Sequence, residues 1–160
     1  MKRHRVLTTL IAVCVTTAVA LVGVSVATPS GKQSKTTKTF EFLFKFSDAH
    51  VRVDLGAGGL TTGDTDTFTG PVQNTAGTSR VGFAQGHCVM TLPNRPLAQC
   101  TSSFFFDHGQ IATQGPNYYN RPFNHAITGG TGVFREAKGE MRVAPLPNEE
   151  GWKITLKVIR

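Results

Sequence analysis

The chain has little charge and almost no helical patterning. Only 17% of its 160 residues are Asp, Glu, Lys or Arg, and it holds one tryptophan, two tyrosines and three cysteines. Each shortage removes a class of function. No basic stripe interleaves with aromatic residues, so nucleic acid is not an expected partner. No G-x-S-x-G turn occurs, which sets aside that serine-nucleophile arrangement. His50, His108 and His125 stand at no metal-ligand spacing. His87 and Cys88 are adjacent, so on a strand they point to opposite faces. No metal site is read from these residues. One glycine cluster, Thr128-Gly129-Gly130-Thr131-Gly132, looks at first like a nucleotide loop. Such a loop opens a helix within a βαβ unit, or is followed by lysine. Here strand-like segments follow, and no lysine takes that place. The cluster is read as a tight bend, where glycine permits φ > 0 or close chain approach.

What is present starts with a leader. Lys2, Arg3, His4 and Arg5 precede an almost wholly apolar run, Val6 to Val26, and Ser25-Val26-Ala27 offers small residues for cleavage. Residues 1–27 are expected to be a secretory signal peptide. An uncleaved anchor is the alternative, because the run is long enough to span a bilayer. Cleavage would leave no stable membrane span and an extracellular protein. The leader carries three of the 17 basic residues and none of the ten acidic ones, so the remainder has a net charge of +4. Residues 28–38, rich in Ser, Thr and Lys, read as a flexible linker. Residues 39–160 are the folded domain.

That domain reads as strands throughout. Thr39–Phe46 alternates Phe40, Phe42, Phe44 and Phe46 against Glu41, Leu43 and Lys45. Val81–Leu92 keeps small or apolar residues at even positions, and Leu97–Phe106 continues that parity with Ala98, Cys100, Ser102, Phe104 and Phe106. Phe105 then faces outward, which hints at a subunit contact. A turn at Pro93–Pro96 lies midway between Cys88 and Cys100. A hairpin about Asn94 places the two cysteines opposite each other, where a disulfide forms if the Cα distance permits; two buried free thiols are the alternative. A short strand is expected at Gln110–Gly115, with a loop from Pro116. Asp64 and Asp66 share a face and are read as a surface pair. About nine extended segments with short turns point to a closed antiparallel barrel, since closure removes sheet edges.

The order and spacing of several motifs carry a family resemblance. Gly63-Asp64, Val81-Gly82, Gly86-x-Cys88-Val89, Phe104–His108, Gly109-Gln110-Ile111, Gln114-Gly115-Pro116 and Ala126–Glu140 resemble the allene oxide cyclase-like barrel, a superfamily that includes dirigent proteins. The resemblance implies an all-β, eight-stranded antiparallel barrel with an apolar lumen, often assembled as a trimer, and no cofactor. It places Cys88 and Phe68 at the lumen. It maps the cyclase glutamate to Glu41 and the dirigent aspartate to Asp48. Asn117 stands where cyclases have a tyrosine, and Gly70 where they have an asparagine. If Cys88 is bonded to Cys100, its thiol is unavailable for cyclase chemistry.

These residues lead to one expectation and one rival. The expected function is binding of an apolar or phenolic small molecule among Phe68, Cys88, Phe104, Phe106 and Asn117. Glu41 and Asp48 are the candidate catalytic acids, and cyclisation or stereoselective coupling is guided by orientation. Glu41 can act only if it faces inward, which turns the phenylalanine stripe outward against a covering subunit. A homo-oligomer, trimer or dimer, is expected. The rival is a non-catalytic binding or cell-envelope module. A lumen packed with phenylalanine favours the rival, and an open pocket with an inward acid favours the first reading.

Overall fold

Period-two alternation builds a barrel of eight antiparallel strands with one extra strand. The computed structural model describes residues 36–45, 50–119, 121–147 and 151–160. The leader, most of the linker and Asp48 lie outside the described residues. The strands are β1 (Thr37–Lys45), β2 (Val51–Val53), β3 (Thr65–Gln73), β4 (Arg80–Leu92), β5 (Leu97–Phe106), β6 (Gly109–Tyr118), β7 (Phe123–Gly130), β8 (Lys138–Pro145) and β9 (Gly151–Ile159). Their order is β1-β9-β8-β7-β6-β5-β4-β3-β2, and β1 also pairs with β3 through Leu43↔Gln73 and Phe44↔Val72. That pairing closes the wall; β2 is the extra strand, laid along the other half of β3.

The phenylalanine stripe settles the orientation of β1. Phe42 and Phe44 are 2% and 1% exposed, so the stripe faces inward and Glu41 faces out. Burying each ring contributes roughly 1.5–3 kcal/mol, far more than an exposed carboxylate gains by turning in. Phe42 packs on Phe104, and Phe44 on Phe68, at ring separations of 5.4 and 5.7 Å. Small residues make room for these rings. A Cβ on Gly86 would lie 2.5 Å from the Phe68 ring and 2.6 Å from the Thr101 carbonyl, so the wall is thinned to glycine there.

The β4–β5 hairpin has the register expected about Asn94. Cys88 lies opposite Cys100 and Phe83 opposite Phe105. The two cysteines form a disulfide across 4.0 Å between Cα atoms. Two expectations need correction. β6 runs on to Tyr118 instead of stopping at Gly115, because Pro116 sits where β6 has outrun its pairing with β7, which ends at Gln114↔Ala126. Asp64 and Asp66 are 3% and 6% exposed and are not a surface pair, because each finds donors that repay burial. The glycine cluster ends β7 and enters a single 3-10 turn, Gly132–Phe134. Gly132 has φ 58°, and a Cβ there would meet the His108 carbonyl at 2.2 Å, so the bend requires glycine.

Candidate ligand cup at the barrel mouth

The alternation of β3 aims Asp66 into the barrel mouth, in step with Phe68, Gly70 and Val72 and directly opposite Cys88. β2 supplies Arg52 from above. Its Nε and Nη2 each donate to Asp66 at 2.8 Å, a bidentate pair. The Tyr119 hydroxyl, from the end of β6, donates to the second oxygen of the same carboxylate. His50 Nε2 stands 3.5 Å from it. Burial pushes the Asp66 pKa up, but the hydrogen bonds from Arg52 and Tyr119 and the charges of Arg52 and His50 outweigh it and hold the group below the usual carboxylate range. The Tyr119 pKa is raised, first by burial and then by the bond to Asp66. The Arg52 pKa is also raised, chiefly by its bond to Asp66. At neutral pH the mouth therefore carries a fixed carboxylate, a guanidinium and a protonated phenol. Asp64, one step earlier, serves the loop instead. It accepts from the Thr61 and Leu55 amides and the Thr61 hydroxyl, which lower its pKa against the opposing effect of burial.

Below this polar rim lies a cup of about 590 Å³. Phe68, Phe123, Tyr118 and Trp152 wall it, and Cys88 and Asn117 form its floor. Deeper in the lumen, among Phe44, Phe104, Met141 and Ile154, the space narrows to about 10 Å³, room for one water. Two buried polar atoms border that cavity without a protein partner among the described residues, Asn117 Oδ1 and His125 Nε2. Asn117 Nδ2 points at Cys88 Sγ from 3.9 Å. His125 Nδ1 lies 3.5 Å from Thr113 Oγ1. Burial pushes the His125 pKa down to about 4, and a hydrogen bond with the Pro116 backbone offsets this only in part. The imidazole is therefore neutral at physiological pH.

The residues expected from sequence are dispersed over this frame. Phe68, Cys88 and Asn117 border the cup. Phe104 fills the closed lumen below, and Phe106 lies at the far end of the barrel against Phe42 and Phe134. Glu41 is outside the wall, 3.2 Å from Lys153 Nζ and accepting from the Thr155 hydroxyl at 3.2 Å. It does not take the inward orientation that a catalytic role in the lumen requires. The sulfur of Cys88 is held in the disulfide, not as a thiol. Sequence reasoning missed Arg52, Asp66, Tyr119, His125 and Trp152. The signal for Asp66 was its parity with Phe68; for Tyr119 no local signal exists, since it meets Asp66 across 53 residues. Among the described residues no three metal-ligating side chains cluster, and no helix is long and apolar enough to cross a membrane.

No family model matches the sequence. Solved structures do. A pyocyanin demethylase is 30% identical, with a TM-score of 0.68, and the match covers 76% of this chain and 99% of the other. A pterocarpan synthase dirigent protein is 19% identical with a TM-score of 0.64, covering 81% of this chain and 92% of the other. An exo-specific intermolecular Diels-Alderase is 12% identical with a TM-score of 0.66, covering 80% and 100%.

Proposed function

We propose a function from one premise: the chain belongs to the dirigent and allene oxide cyclase-like barrel superfamily. Members of this group bind small organic molecules and guide their cyclisation. In this chain the ligand is a planar aromatic or phenolic molecule, and it sits in the mouth cup. The observation that carries this reading is the cup itself, of ligand size, walled by aromatic rings and edged on one side by the Arg52–Asp66–Tyr119 cluster. The rings fix the plane of a flat ligand. The Tyr119 oxygen, its own proton given to Asp66, accepts from a ligand hydroxyl, and the Arg52 guanidinium keeps N–H groups beyond its two bonds to Asp66 for a ligand oxygen. The chemistry is guidance of a reactive intermediate by orientation, with these groups assisting. The disulfide suits an oxidising compartment, and export of the chain is part of the proposal.

A second reading rests on a separate observation. The lumen is filled by Phe42, Phe44 and Phe104, and the Cys88 thiol is tied up, which favours a binding module that leaves its ligand unchanged. The chain has one tryptophan, Trp152, and it lines the cup. Titration with 4-nitrophenol or with pyocyanin is expected to quench its emission saturably, with weaker binding in Asp66→Asn and Tyr119→Phe. Unsaturable quenching by every flat aromatic tested would refute the cup as the binding site. Recovery of the bound ligand unaltered, after incubation with an oxidant that generates its reactive form, would select the second reading.

A further inference from the structure

Two buried polar atoms below the cup, Asn117 Oδ1 and His125 Nε2, have no protein partner among the described residues. Their residues are 4% and 3% exposed, and both line the narrow space of about 10 Å³. That space is continuous with the cup, because Phe68, Cys88, Asn117, Phe123 and Trp152 line both. The hydrogen-bonding sense of each atom follows from its neighbours. His125 bonds to the Pro116 backbone, and proline has no N–H, so the ring donates to the carbonyl. Nε2 has no partner, so Nδ1 is the donor. A neutral imidazole carries one N–H, which leaves Nε2 a bare acceptor. Asn117 turns its amide nitrogen toward Cys88 Sγ, 3.9 Å away, and keeps its carbonyl oxygen as the second acceptor. Ser102, on the same space, has a hydroxyl that rotates to donate or accept.

We propose that Asn117 and His125 set the specificity of the cup, selecting an aromatic ring that leads inward with a hydrogen-bond donor, above all an amino group. The inference rests on the cup as the ligand site and adds the chemistry of the ligand's buried end. An amino group has two hydrogens, one for each acceptor, and a hydroxyl has one. A fluorine or an ether oxygen has none and sets its lone pairs against theirs. Burial sharpens the difference, since an acceptor left unsatisfied in the interior is costly. The narrow space takes one atom of about water size, so an amino nitrogen or a hydroxyl oxygen fits and a methyl-capped group does not. Phe68, Phe123 and Trp152 hold the ring behind it, and the Phe123 ring lies 5.2 Å from that of His125. Asn117 and Tyr119 are two residues apart, roughly 7 Å along an extended chain, about the span of a benzene ring with a substituent at each end. The rim cluster is thus left for the outer end of the ligand.

Calorimetric titration at neutral pH with 4-methoxyaniline, 4-methoxyphenol and 4-fluoroanisole tests it. The three share one ring and one methoxy end and differ in the leading group. The wild type is expected to bind them in that order, with the amine about tenfold or more tighter than the fluoro compound. Asn117→Leu and His125→Phe each remove one acceptor and should shrink that ratio severalfold. Tyr119→Phe, at the rim, should keep the ranking. Circular dichroism checks each fold, and Asn117→Leu decides alone if His125→Phe does not fold. Nitrogen-15 resonances of the His125 ring give a direct reading: the Nε2 signal should move with the amine and stay with the fluoro compound. Equal binding of all three by the wild type overturns the inference and leaves the cup reading standing. So does a ranking that survives in the floor variants. If none of the three binds, and pyocyanin does not quench Trp152 saturably, the cup reading falls and this inference with it.

Discussion

His125 makes a pH dependence that can be worked out in advance. Its imidazole is 3% exposed, and its pKa falls to about 4 in the folded chain, against the usual value near 6.5 when unfolded. Above about pH 6.5 both states hold it neutral and it has no effect. As pH falls below that, the unfolded chain takes up a proton that the folded chain refuses, so stability declines. The decline continues to about pH 4, where the folded imidazole also protonates. One pKa unit is worth about 1.4 kcal/mol, so the loss is about 1.4 kcal/mol by pH 5.5 and about 2.5 kcal/mol by pH 4.5. Against a typical 5–15 kcal/mol for a whole domain this is a large share. The carboxylates Asp64 and Asp66 do not confuse the window. Their pKa values are depressed, so their contribution is complete above the ordinary carboxylate range and is lost only below it. Urea denaturation followed by circular dichroism between about pH 7.5 and 4.5 measures the effect. His125→Gln removes the titrating group while keeping a polar side chain, and should flatten most of the slope. Parallel slopes for wild type and variant would sink the reasoning, because the loss would then belong to other groups.

The remaining predictions are simpler. The Cys88–Cys100 disulfide closes a short loop, so its loss in the Cys88→Ser, Cys100→Ser double variant should cost about 3 kcal/mol. Urea denaturation with and without reductant checks this, and reductant should have no further effect on the variant. Glu41→Gln breaks only a half-exposed pair with Lys153, so stability should change by less than about 1 kcal/mol and ligand quenching of Trp152 should be unaffected. A large loss of binding in that variant would place Glu41 in the site after all.

How far the sequence could be read depended on whether the information was local. The alternation of Thr39–Phe46 and the shared parity of Val81–Leu92 and Leu97–Phe106 are local, and they carried the strands, the inward face and the register that opposes Cys88 to Cys100. The orientation of β1 was legible in principle as well, since four phenylalanines outweigh one glutamate. The family position of the glutamate left that orientation open. The mouth was not legible, for a physical reason. Asp66 becomes an inward, ionised acid only because β2 brings Arg52 against it from 14 residues away and the end of β6 brings Tyr119 from 53. Without those two donors a carboxylate at that depth would be costly, so its parity alone read as a surface feature. The same closure divides the lumen. The inward phenylalanines that mark this chain as a barrel also fill it, so the space for a ligand is displaced upward to where β2 and the end of β6 extend the wall. The residues that identify the fold are thus the ones that exclude the ligand, and those that can hold it come from the parts of the chain with the least periodic sequence.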